Sequence, residues 1–148
     1  MKRIKPVDMT PFRSGVLCSL LLLSCEFNLS GPGDIPGLTG PEWTLQFFVS
    51  DGKLLAPPQD QSYSILFETD STCSGLNDCN AFMGEYQTGA DQSIDFSSYV
   101  ATEIYCGNTS WDSRFYSAMQ SACYYAIKGR NLLLKDDQDV LLMFETQE

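Results

Sequence analysis

From Glu42 onward the hydrophobic positions form short alternating runs separated by turn residues, and the chain ahead of them has no such period. Trp43, Leu45 and Phe47 alternate with Thr44 and Gln46, the period-two pattern of a half-buried strand. Asp51-Gly52 makes a turn, and Tyr63, Ile65 and Phe67 alternate again. Cys73 to Asn80 is rich in Ser, Gly, Asn and Asp, so it is expected to begin as a strand and break into a loop. Gly84 to Gln87 and Ser93 to Phe96 read as a hairpin around Thr88-Gly89-Ala90-Asp91, and Thr102 to Cys106 as another short strand. Only one segment has helical spacing: Trp111, Phe115, Ala118, Met119 and Ala122 share one helix face. Thr109 or Ser110 is placed to cap it, with Asp112 in its first turn. Strands then return: Tyr125 and Ile127, a turn at Gly129-Arg130-Asn131, Leu132 to Leu134, a turn at Asp136-Asp137-Gln138, and Val140 to Phe144. The pattern predicts an α+β fold that is mostly β: a curled antiparallel sheet with one packed helix.

The N-terminus has a different logic. Lys2, Arg3, Lys5 and Arg13 precede an apolar run from Val16 to Leu23 that includes Cys18 and is too short to span a bilayer, which takes ~20 residues. A basic stretch followed by a brief apolar one is the pattern of an export signal, expected over residues 1–24. Leu22-Leu23-Ser24-Cys25 resembles the bacterial lipobox, in which a cysteine thiol takes the lipid before cleavage. The alternative is an ordinary cleaved signal in which Cys25 is incidental. One acyl chain holds a protein only reversibly, and the several chains typical of this class would anchor it stably. Glu26 stands where an Asp would retain such a protein at the inner membrane, which favours outer-membrane sorting. Residues 25–41 read as a flexible tether, whose Gly- and Pro-rich stretch from Phe27 to Pro41 spans at most ~50 Å at about 3.3–3.6 Å per residue. The folded domain is expected over residues 42–148.

Composition narrows the chemistry. The chain of 148 residues has a net charge of −10, and removal of the basic leader leaves about −13. Such a surface repels phosphate backbones, so nucleic acid is not an expected partner, and membrane attachment must come through an anchor at Cys25. There is no His, which removes His-dependent nucleophile triads and imidazole metal sites. Asp136, Asp137 and Asp139 cluster in a tight turn, where a solvated turn is favoured over a carboxylate pair or a loose Ca²⁺ site. Asn28-Leu29-Ser30 and Asn108-Thr109-Ser110 match the glycosylation sequon, a short pattern that arises often by chance. No catalytic residue, metal site or cofactor is expected.

Cys79-Asn80-Ala81-Phe82-Met83-Gly84-Glu85-Tyr86 resembles the CNxFxGxY signature of META domains, formerly DUF306, the family of the heat-shock protein HslJ. Trp43-Thr44-Leu45 is similar to the opening WxL strand of that family, and Thr102 to Cys106 to its T-x-x-x-C segment. Asp112 and Phe115 stand where the family helix carries an acidic residue and a Phe, and Tyr125 to Leu134 is similar to its closing hairpin. Asp78 departs from the pattern, which has Gly before the cysteine. The resemblance implies an envelope lipoprotein or secreted protein linked to stress tolerance and secretion, with no established catalytic residues. Asn80, Phe82, Gly84 and Tyr86 are therefore expected to be structural, Asn80 through bonds to local backbone and Gly84 through a positive φ.

Two function classes follow: a binding or structural module of the envelope, contacting another envelope protein or a small apolar ligand, and a carboxylate-based hydrolase of envelope polymers. The first is favoured because the acidic residues are scattered. Beyond Cys18 and Cys25, four cysteines remain, an even number that suggests two disulfides with three possible pairings. The family motifs favour Cys79–Cys106, leaving Cys73–Cys123; the local alternative is Cys73–Cys79 with Cys106–Cys123. Expressed in a bacterium, the chain is expected to partition into detergent, and Cys25→Ala to release it or leave it unprocessed. Equal detergent partitioning of the processed variant would place the anchor elsewhere.

Overall fold

The computed structural model describes residues 37–147; the expected signal, Cys25 and most of the tether lie outside them. The elements run β1 (Glu42–Ser50), β2 (Lys53–Leu55), β3 (Tyr63–Phe67), β4 (Thr72–Asn77), β5 (Asn80–Thr88), β6 (Ile94–Ala101), α1 (Asp112–Ser121), β7 (Tyr124–Lys128), β8 (Asn131–Lys135) and β9 (Val140–Glu145). All nine strands join one antiparallel sheet in the order β6-β5-β4-β3-β1-β9-β8-β7, with β2 paired to the far end of β1. The sheet curls into a half-barrel until its two ends meet. Ser93 bridges Tyr124, and the Ile94 N–H donates to the Cys123 carbonyl at 2.9 Å. Chain engagement starts a little before Glu42: Leu38 packs on the core, and the Trp43 indole donates to its carbonyl at 2.9 Å.

The inner face is an aromatic cluster. Trp43, Phe48, Tyr63, Phe67 and Phe144 line it, and α1 lies against β4, β6 and β9 to close it. Phe115 is 0% exposed and meets Tyr63 at 5.3 Å, Phe82 at 5.9 Å, Phe144 at 6.3 Å and Phe48 at 6.4 Å between ring centroids. The helix boundary differs from expectation. Trp111, not Thr109 or Ser110, holds the N-cap position, because the Tyr63 hydroxyl accepts its N–H at 3.0 Å; Ser110 Oγ accepts from Asp112 one step in.

Several strand expectations are corrected. In β1 a bulge between Leu45 and Phe47 resets the parity, so Phe48 rather than Phe47 points into the core. The segment Cys73 to Asn80 is not a strand lapsing into a loop. It is β4 followed by a tight hairpin in which Asn77 pairs with Asn80, so β5 starts at the signature itself. The next hairpin is correspondingly longer than Gly84 to Phe96. Thr102 to Cys106 is not a strand, because the ladder to β5 stops at Ala101. Gly75 marks a close approach: a Cβ there would lie 2.0 Å from the Ser64 carbonyl oxygen.

Phe115→Ala removes the ring shared by four aromatic neighbours and is expected to cost about 3–5 kcal/mol, read from denaturant unfolding. A cost below about 1 kcal/mol would mean the half-barrel closes without the helix.

Candidate functional site

The signature begins with Cys79 and Asn80 at one rim of the half-barrel and runs along β5 through Phe82, Gly84 and Tyr86. Asp78, at the turn between β4 and β5, has φ 59°, the left-handed conformation for which the family keeps Gly. The requirement expected at Gly84 thus sits at Asp78. Gly84 itself has no positive φ; it lies at a register shift against β6, where a Cβ would be 3.3 Å from the Ser97 carbonyl oxygen. Asp78 tolerates its backbone but buries a carboxylate whose Oδ2 has no partner.

Contrary to the expectation of bonds to local backbone, Asn80 bonds a segment more than twenty residues away. Its Oδ1 accepts from the Ile104 N–H at 2.7 Å and the Thr102 hydroxyl at 2.8 Å, while its Nδ2 donates to the Ile104 carbonyl at 3.0 Å. One side-chain amide thus replaces the missing strand partner of Ile104. The Cys79–Cys106 disulfide, with Cα atoms 5.6 Å apart, fastens the same segment. Phe82 stacks on Tyr99 at 5.0 Å, and Tyr86 lies edge-on to Phe67 at 4.9 Å while donating to the Glu68 carbonyl at 2.7 Å. Burial raises the pKa of both Tyr86 and Tyr99.

The second expected disulfide, Cys73–Cys123, is absent, as is the local alternative: both thiols are free. Cys73 faces the core from the start of β4, opposite Gly84, where burial pushes its pKa up to about 11. Cys123 follows α1 at the other end of the sheet order, its thiol 3.7 Å from Asp137 Oδ1. Burial and the neighbouring Asp137 and Asp136 carboxylates raise the Cys123 pKa, away from the thiolate form.

The acidic turn is held by its own backbone. Asp136 Oδ1 accepts from the Gln138 N–H at 2.8 Å and the Asp139 N–H at 2.7 Å, bonds that lower its pKa. Among the described residues no group of three or more His, Cys, Asp or Glu side chains is arranged to hold a metal ion.

Two surfaces remain open. A groove of about 260 Å³ between the signature rim and the start of α1 is bordered by Asn77, Tyr99, Asp112 and Tyr116, with Asn77 Nδ2 donating to the Tyr99 hydroxyl at 3.0 Å. On the outer face of β4–β6, Leu76, Met83 and Val100 are exposed, Met83 and Val100 each at 64%. Strand parity carried the signal for this patch: in β5 and β6 Met83 and Val100 alternate with the inward-facing Phe82 and Tyr99. The roles of Asn77, Thr102 and Tyr99 had no comparable signal, since they depend on which strands meet.

A META domain family model matches residues 36–148. The chain belongs to the META domain family. Solved structures share the META fold at low identity. A protein from Burkholderia xenovorans, solved by NMR, is similar with a TM-score of 0.63 and 18% identity, over 95% of this chain and 99% of that one. A DUF4847 family protein from Bacteroides vulgatus is similar with a TM-score of 0.53 and 16% identity, over 75% of this chain and 96% of that one. No curated protein sequence matches this META domain.

Asn80→Ala leaves the Ile104 N–H without its acceptor and is expected to cost about 2–3 kcal/mol. Asp78→Gly relieves the left-handed φ and removes the unpartnered buried oxygen, and is expected to stabilise by about 1 kcal/mol. Chemical denaturation of both variants checks the pair. A stabilised Asn80→Ala, or a destabilised Asp78→Gly, would contradict this account of the rim.

Proposed function

We propose that this META domain is a non-enzymatic binding module of the bacterial envelope, lipid-anchored at Cys25 at the outer membrane and acting in stress tolerance or secretion. One observation carries the binding part of the reading: the exposed apolar patch of Leu76, Met83 and Val100 on the outer face of the sheet. Soluble surfaces seldom expose large apolar side chains side by side unless something covers them. The signature residues are meanwhile committed inward. Asn80 is 5% exposed with its amide bonded to Thr102 and Ile104, and Cys79 is tied to Cys106. The setting comes from the lipobox resemblance at Cys25 and from the family's link to stress tolerance and secretion.

The hydrolase reading has less support, because Asp136 serves as an acceptor for its own turn. Two measurements test the proposal. A photo-crosslinking residue at position 83 is expected to give discrete protein adducts in intact envelopes, whereas one at exposed Gln138 is not. The mature chain is expected to leave envelope glycans and peptides uncleaved. Turnover abolished by a single Asp or Glu substitution would replace the binding module with an enzyme.

A further inference from the structure

Cross-strand register explains why the outer patch is continuous. Ser74, Met83 and Val100 stand in one row across β4, β5 and β6, and Leu76 faces Ala81 in the next row on the same face. A depression of about 320 Å³ lies over this patch, bordered by Ser74, Ala81, Met83, Val100 and Thr102. A second, of about 340 Å³, extends it past Met83 to Glu85. Leu76 also borders a third, of about 230 Å³, that reaches Glu42 on β1. The apolar centre is therefore flanked by carboxylates, Glu85 on one side and Glu42 on the other.

The charge pattern states what fits there. Between Lys53 and Arg114 the chain has nine carboxylates and no Lys or Arg. That stretch supplies β3 to β6, so those strands bring no cation to the patch. The Lys and Arg side chains of the described residues sit on or beside β2, α1, β7 and β8. A second copy of this chain would bring a surface of the same sign, and an anionic lipid or polymer would be repelled. A segment carrying Lys or Arg beside apolar residues satisfies both the apolar rows and their carboxylate flanks.

We infer that the outer face of β4–β6 docks a cationic, apolar segment of a partner protein. This rests on the binding-module reading and names the chemistry of its partner. Met83, Val100 and Leu76 supply the desolvated centre, while Glu85 and Glu42 select for positive charge and speed encounter.

Fluorescence anisotropy with the mature chain tests it, using three labelled peptides of equal length that alternate Leu with Lys, Ser with Lys, or Leu with Glu. The Leu–Lys peptide is expected to bind best, and to weaken several-fold as salt rises from about 50 to 300 mM. Met83→Ser with Val100→Ser is expected to weaken it about tenfold. Glu85→Lys should weaken it several-fold, and Asp139→Lys, with the same change in net charge on the far β8–β9 turn, much less. Retention of the Cys79–Cys106 disulfide and an unchanged far-UV spectrum show that each variant folds. The inference is overturned if the Leu–Lys peptide does not bind, or if the Ser–Lys or Leu–Glu peptide binds equally well. Equal effects of Glu85→Lys and Asp139→Lys overturn it, as do insensitivity to the Met83 and Val100 changes or patch-dependent binding of phosphatidylglycerol vesicles. Those results leave the binding-module reading standing, whereas cleavage of the peptide would remove that reading itself.

Discussion

The fold of the described residues depends on one side chain entering a curved sheet. A sheet whose two ends meet at the Ser93–Tyr124 bridge and the Ile94–Cys123 hydrogen bond curls around an apolar interior. Phe115 fills it from α1, contacting rings of β1, β3, β5 and β9 at once. Edge-on and tilted packing of this kind adds ~0.5–1.5 kcal/mol per aromatic pair beyond the burial itself. Tyr63 serves the same end with its polar atom, since its hydroxyl accepts the first free N–H of the helix at Trp111. Helix position and sheet curvature are therefore one structural decision.

The signature belongs to the same mechanism. Between β6 and α1 the chain must leave the sheet and cross the rim, where its backbone groups have no strand beside them. Asn80 supplies both missing partners of Ile104, and the disulfide ties Cys106 to the hairpin that presents Asn80. Closing a loop of that length is worth about 3.5 kcal/mol in the chain-entropy model. The segment so fastened leads directly into α1, so the motif fixes where Phe115 arrives. Asn80 and Cys79 are committed in this way to the crossing segment, while the outer face of β4–β6 keeps Leu76, Met83 and Val100 exposed.

That outer face sets exposed apolar side chains beside carboxylates. Val100 lies on β6, the terminal strand of the sheet order, where exposed apolar residues invite pairing with another chain. Ser98, at φ 52°, irregularises this edge, and Glu85 and Asp95 place negative charge beside it. The proposed docking of a basic segment relies on the same acidity that would exclude like-charged neighbours.

Much of the fold was legible in the sequence because it is written in local periodicity. Alternation at Trp43 and Leu45, at Tyr63 to Phe67 and at Leu132 to Leu134 identifies the strands and their inner faces, and the spacing of Phe115 and Met119 identifies α1. Likewise the absence of His, the acidic surface and the lipobox-like end at Cys25 are properties of the chain alone. The tertiary structure decided what depends on partners distant in sequence. It placed the bulge that exchanges Phe47 for Phe48, sent the Asn80 amide to Ile104, put the left-handed turn at Asp78 rather than Gly84, and kept Cys73 and Cys123 apart. A periodic pattern records which side of a strand faces the core. Which strand lies alongside, and which backbone groups are left needing a partner, is settled only when the sheet curls around Phe115.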